Sequence, residues 1–91
     1  MDLKEKYRIC DDISWRQVDD EIIILNLDSG DYFSLNKTGG YIFLAINNNQ
    51  PLESLLKEQR EEFNKPTEEL RKDINDLLQE LLENKIIEIF E

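Results

Sequence analysis

The sequence predicts an α+β domain with the element order β-β-β-α-α-α and a short extended tail. Three observations carry this. Residues 14–35 hold three short runs rich in β-branched and aromatic residues, separated by turn chemistry. From Asn36 onward the apolar residues recur at helical spacing. The chain has 91 residues, of which 40% are hydrophobic and 35% charged, the composition of one small globular domain.

Residues 1–13 are polar and mixed, with Tyr7 and Ile9 as candidate anchors, and read as an N-terminal arm before a domain over 14–91. Ser14-Trp15-Arg16-Gln17-Val18 alternates apolar and polar and predicts a first strand. Asp19-Asp20 is turn chemistry. Glu21–Leu27 is almost wholly apolar and β-branched, which predicts a second strand covered on both faces. Asp28-Ser29-Gly30-Asp31 is the strongest turn, since Gly30 can supply the positive φ that hairpin loops require. Tyr32–Leu35 is the return strand of a three-stranded antiparallel meander.

Asn36 is the expected N-cap of a first helix over about Thr38 to Asn47. Gly39 and Gly40 near its start lower helix propensity and allow close approach to the sheet. Pro51 suits the first turn of a second helix, which runs to about Phe63 with Leu52, Leu55, Leu56 and Phe63 near one face. Asn64-Lys65-Pro66 breaks the chain. Thr67 caps a third helix, with Glu68 and Glu69 at its positive end. Leu70, Ile74, Leu77, Leu78, Leu81 and Leu82 recur along it, and Asn84 is its expected C-cap. Ile86–Phe90 closes the chain as a short extended segment.

The net charge is −10 and is spread along the chain: residues 1–50 carry five basic and nine acidic side chains, residues 51–91 six and twelve. Nucleic-acid affinity is built mainly on Lys and Arg, so neither DNA nor RNA fits as a partner. Anionic membrane surfaces are disfavoured on the same ground. Cys10 is the one cysteine, and no run approaches the ~20 apolar residues that span a bilayer. The expected setting is a reducing, cytoplasmic one.

The chain has no histidine, which removes the commonest general base and metal ligand. One cysteine builds no zinc or iron–sulfur site. Gly39-Gly40 lacks the spacing of a phosphate-binding loop. Asp19, Asp20, Asp28 and Asp31 miss the EF-hand pattern, and Glu58, Glu61 and Glu62 read as a solvated helix face. The sequence therefore predicts no catalysis, no metal and no cofactor.

The string Tyr32-Phe33-Ser34-Leu35-Asn36-Lys37-Thr38-Gly39 resembles the Y-x-x-L-N-x-T-G stretch of the PqqD-like family, the precursor-peptide recognition elements of ribosomally made, modified peptides. Trp15-Arg16, Pro51-Leu52-Glu53-Ser54-Leu55 and the closing run Asp73-Ile74, Leu77-Leu78, Leu81, Lys85-Ile86-Ile87 are similar to the family in order and spacing. The likeness covers about residues 14–89. Asparagines stand at 47–49, and Asn84-Lys85 further on, where the family has glycines. The resemblance implies a winged helix-turn-helix-like domain that binds the leader region of a precursor peptide. The leader adds as a strand beside the third strand and lies in a groove against the third helix. A separate modifying enzyme is then the second partner, either a radical S-adenosylmethionine protein or a lasso-peptide leader protease and cyclase.

The residues themselves are compatible with such a site. An open sheet edge at Tyr32–Leu35 offers unpaired N–H and C=O groups to an extended peptide. Successive helix residues turn by about 100°, so the third helix presents, in order around its axis, Leu77, Leu70, Leu81, Ile74, Leu78, Arg71 and Leu82. That stripe, about 140° wide from Leu77 to Leu82, exceeds one core contact. The candidate binding residues are Asp31, Tyr32, Phe33, Ser34 and Leu35 on the strand, with Arg71, Ile74, Asn75, Leu78 and Leu82 on the helix. Each helix residue has an equal claim to the core. Arg71-Lys72, the only adjacent basic pair, reads either as a contact for an acidic leader residue or as solvated charge. Two other functions stay open: a small protein–protein interaction subunit, and a winged-helix nucleic-acid binder, which the acidic third helix fits poorly.

Overall fold

A computed structural model describes residues 6–54 and 67–90. Five strands and two long helices occur there: β1 Tyr7–Ile9, β2 Ile13–Val18, β3 Glu21–Asn26, β4 Tyr32–Leu35, α1 Lys37–Asn47, α2 Thr67–Glu83 and β5 Ile87–Ile89. The fold is α+β with two antiparallel sheets, a three-stranded one in the order β2-β3-β4 and a two-stranded one of β1 and β5. Helix α2 is the expected third helix. The expected second helix lies largely outside the described residues, which hold only its first turn at Leu52–Ser54.

The meander follows its local signals closely. Gly30 takes φ +80°. Its N–H donates to Asn26 O at 2.7 Å, and Asn26 N–H donates to Asp31 O at 2.9 Å. The Asn26 side chain accepts from the N–H groups of Asp28 and Ser29, so an Asx turn closes the loop. Strand β3 sends Ile22 and Ile24 into the core, opposite Leu35 and Phe33 of β4. Its other face differs from expectation. Ile23 and Leu25 are only half-buried. Their cross-strand neighbours are Arg16 and Ser34 beside Ile23 and Ser14 and Tyr32 beside Leu25.

Helix α1 is the hub of the core. Asn36 caps it through Oδ1, which accepts from Gly39 N–H at 2.9 Å. The glycines act through the side chains they lack: a Cβ on Gly39 would stand 3.3 Å from Leu35 Cβ, and one on Gly40 3.2 Å from Ile22 Cγ1. The helix therefore lies close on β3 and β4. Buried Ile42, Phe43, Ala45 and Ile46 join Ile22, Ile24, Leu35, Leu70, Ile74, Leu78, Leu81, Ile86 and Ile87 in one core. Trp15 is half-buried, its ring edge-on to Phe43 at 5.1 Å between centroids.

Both helices end on residues in the left-handed region. Asn49 has φ +57° and Lys85 φ +59°. Gln50 N–H reaches Ala45 O and Asn49 N–H reaches Ile46 O; Ile86 N–H reaches Leu81 O and Lys85 N–H reaches Leu82 O. These are Schellman caps with Asn and Lys in the usual glycine position. Asn84 is the C-cap, as expected. The second cap turns the chain into β5.

The tail departs from the sequence reading. Tyr7–Ile9, placed there in an arm over residues 1–13, form β1 and pair antiparallel with β5. Bonds from Cys10 N–H to Ile86 O and from Phe90 N–H to Lys6 O continue the ladder at both ends. Tyr7 is buried. Arg8 pairs with Glu88 across the sheet. Burial, with the Glu88 carboxylate beside it, pushes the Cys10 thiol above its ordinary range.

Candidate functional site

Strand β4 lies at an edge of its sheet, and its hydrogen-bonding parity can be read from the hairpin. Asn26 and Asp31 form a bonded pair, and the register runs on without a bulge through Leu25↔Tyr32, Ile24↔Phe33, Ile23↔Ser34 and Ile22↔Leu35. Bonded and non-bonded pairs alternate in an antiparallel ladder. Phe33 and Leu35 therefore turn their N–H and C=O groups to β3, while Tyr32 and Ser34 turn theirs to the edge that no other described strand pairs. The opposite edge, β2, has the complementary parity. Leu27 N–H donates to Asp12 O, so Ile13, Trp15 and Gln17 face outward there. Ile13 N–H is already held by Cys10 O.

The two edges differ in what lies beside them. A groove of about 430 Å³ opens between the end of β4 and α2. Leu35, Ile42 and Leu77 are its apolar lining, and Ser34, Asn36, Thr38, Asp73 and Glu80 its polar one. Around the helix axis Asp73 and then Glu80 follow Leu77 on the side away from Leu70. The groove thus takes one edge of the α2 stripe.

The ten residues singled out from sequence divide accordingly. Tyr32, Phe33, Ser34 and Leu35 form β4, and Asp31 is exposed at its start. Tyr32 is 72% exposed. Phe33 packs half-buried against the core and Leu35 belongs to it. Ile74 and Leu78 have no exposed surface and lie in the core centre, so neither side chain reaches the groove. Arg71 is on the far flank, where Nη1 donates to Glu53 Oε1 at 3.0 Å. Asn75 and Leu82 share that flank, half-buried, and Asn75 Oδ1 has no hydrogen-bond partner among the described residues. Strand and helix residues of the expected set are therefore not brought together in one surface. The α2 residues that line the groove, Asp73, Leu77 and Glu80, lie outside the expected set. A stripe wider than its buried centre has two edges, and its periodicity alone does not say which of them meets the groove.

No group of three or more His, Cys, Asp or Glu side chains able to hold a metal occurs among the described residues. No described helix is long and apolar enough to cross a membrane.

Residues 21–87, well over half of the chain, match the family of coenzyme PQQ synthesis protein D, PqqD. The chain belongs to the PqqD family. Two solved structures share its fold. TbiB1 in complex with the TbiA(beta) leader peptide superposes with a TM-score of 0.83 at 24% identity, covering 92% of this chain and 98% of that one. Lasso peptide synthetase B1 complexed with the leader peptide gives a TM-score of 0.83 at 24% identity, over 91% and 98%. No curated protein matches. In this PqqD-family chain the matched segment holds β3, β4, α1, α2 and the first residue of β5, and so the whole groove.

Proposed function

We propose that this PqqD-family chain is a non-catalytic recognition domain. It binds the leader region of a ribosomally made precursor peptide as a strand beside β4 and presents the remainder to a separate modifying enzyme. The observation that carries this reading is the open edge at Tyr32 and Ser34, set beside a groove lined by Leu35, Ile42 and Leu77. Main-chain bonds to the edge supply affinity, and side chains entering the groove supply selectivity. Neither needs an acid, a base or a metal. The two solved structures named above are leader-peptide complexes, one of them of a lasso peptide synthetase B1. That favours a lasso-type leader protease as partner over a radical S-adenosylmethionine protein. The winged helix-turn-helix arrangement, a cytoplasmic setting and a peptide-binding role for Asp31–Leu35 belong to the same reading.

The helix face argues against nucleic acid. Glu68, Glu69, Asp73, Asp76, Glu80 and Glu83 outnumber Arg71 and Lys72 on α2, and Arg71 is committed to Glu53.

The test is an amide NMR titration with the leader segment of the precursor encoded beside the gene. The expected result is micromolar or tighter binding, about −8 kcal/mol or stronger, with shifts concentrated in Asp31–Leu35 and around Asp73, Leu77 and Glu80. Binding that leaves β4 unmoved contradicts the proposal.

A further inference from the structure

Among the described residues, the groove beside β4 carries charge of one sign only. Its two ionisable lining side chains are Asp73 and Glu80, and no described Lys or Arg lines it. On the helix, Arg71 lies on the opposite flank and pairs with Glu53, and Lys72 is exposed outside the groove lining. Asp73 already takes part in another interaction within the chain. Glu80 is exposed on the groove side, next to the apolar surface of Leu77. The whole chain adds a net charge of −10. An acidic side chain entering this partly enclosed space meets like charge, whereas a basic one is drawn in.

We infer that the peptide bound along β4 presents a Lys or Arg to the groove, two positions from an apolar residue. The inference rests on the leader-binding reading above and adds the leader's chemistry. Alternate residues of an added strand point to one face and stand about 6.8 Å apart. Leu77 and Glu80 are three residues apart on α2, a rise of about 4.5 Å. One inward side chain therefore seats on Leu35, Ile42 and Leu77 while its neighbour two places along reaches Glu80. This is opposite in sign to the acidic leader residue that Arg71-Lys72 would meet on one of their two sequence readings.

The test is selection of a displayed library of random twelve-residue peptides on the full chain and on Glu80→Lys and Glu80→Gln. Each enriched peptide is then checked for amide shifts at Tyr32–Leu35. Glu80 is exposed, so both variants keep the fold, which their melting curves verify. Wild-type protein is expected to enrich Lys or Arg two positions from an apolar residue. Exchanging that residue for Glu weakens binding about threefold to tenfold at low salt, and the difference shrinks as salt rises. Glu80→Gln reduces the preference and Glu80→Lys turns it toward Asp or Glu. Enriched peptides that shift β4 but show no basic preference, or the same preference on Glu80→Lys, overturn this inference and leave leader recognition standing. If no enriched peptide shifts β4, both fall.

Discussion

The two flanks of α2 carry similar residues and meet different surroundings. On one, Arg71 is held by Glu53 of the turn at Leu52–Ser54, and Asn75 and Leu82 are half-buried. On the other, Asp73, Leu77 and Glu80 face a groove beside an unpaired strand edge. Between them Leu70, Ile74, Leu78 and Leu81 are buried. The difference teaches that an apolar helix stripe does not announce its working edge. Both edges have a leucine and charged neighbours, and what separates them is the element each one meets.

The largest expected effect lies in the centre of the stripe. Ile74→Ala should cost about 2–5 kcal/mol, because it empties a fully enclosed site. Leu77→Ala, half-buried at the groove, should cost about 1 kcal/mol and yet weaken peptide binding at least tenfold. Urea unfolding and calorimetric titration of the two variants read both quantities. An equal loss of stability would erase the distinction between centre and edge.

The strand facing the groove allows a sharper version. Phe33→Pro removes a ladder bond to β3 and should destabilise by about 3 kcal/mol or more. Ser34→Pro removes an N–H that points to the free edge, so the fold survives while leader binding falls at least tenfold. Thermal melts and titration separate the pair. Loss of fold in Ser34→Pro would show that the parity assigned to β4 is wrong.

The smallest effect belongs to the far flank. Arg71→Ala breaks a part-exposed ion pair and should change stability by about 0.5 kcal/mol, within the range for such pairs. Peptide affinity should stay within twofold. A tenfold loss would move the site to the Arg71 flank.

Much of the fold was legible because its signals are local. The Asn36 cap, the Gly30 turn and the bounds of β4 depend on residues within a few positions of one another. Of the asparagines at 47–49, Asn49 takes the left-handed conformation that a glycine would otherwise supply. The pairing of β1 with β5 was not legible. It joins three-residue strands about 80 positions apart, and Tyr7–Ile9 carries too short a pattern to declare a strand. The strand half of the proposed site was legible for the same reason as β4 itself. The helix half was not, because rotation of α2 about its axis is fixed by contacts with α1 and β5, which its own periodicity does not contain.

Amide hydrogen exchange on β4 tests the central claim most directly. In the free protein Phe33 and Leu35 should be protected while Tyr32 and Ser34 exchange rapidly. Saturating leader peptide should slow Tyr32 and Ser34 at least tenfold and leave Trp15 and Gln17 on the opposite edge unchanged. Unchanged exchange at Tyr32 and Ser34 in a complex that demonstrably forms would contradict strand addition at this edge.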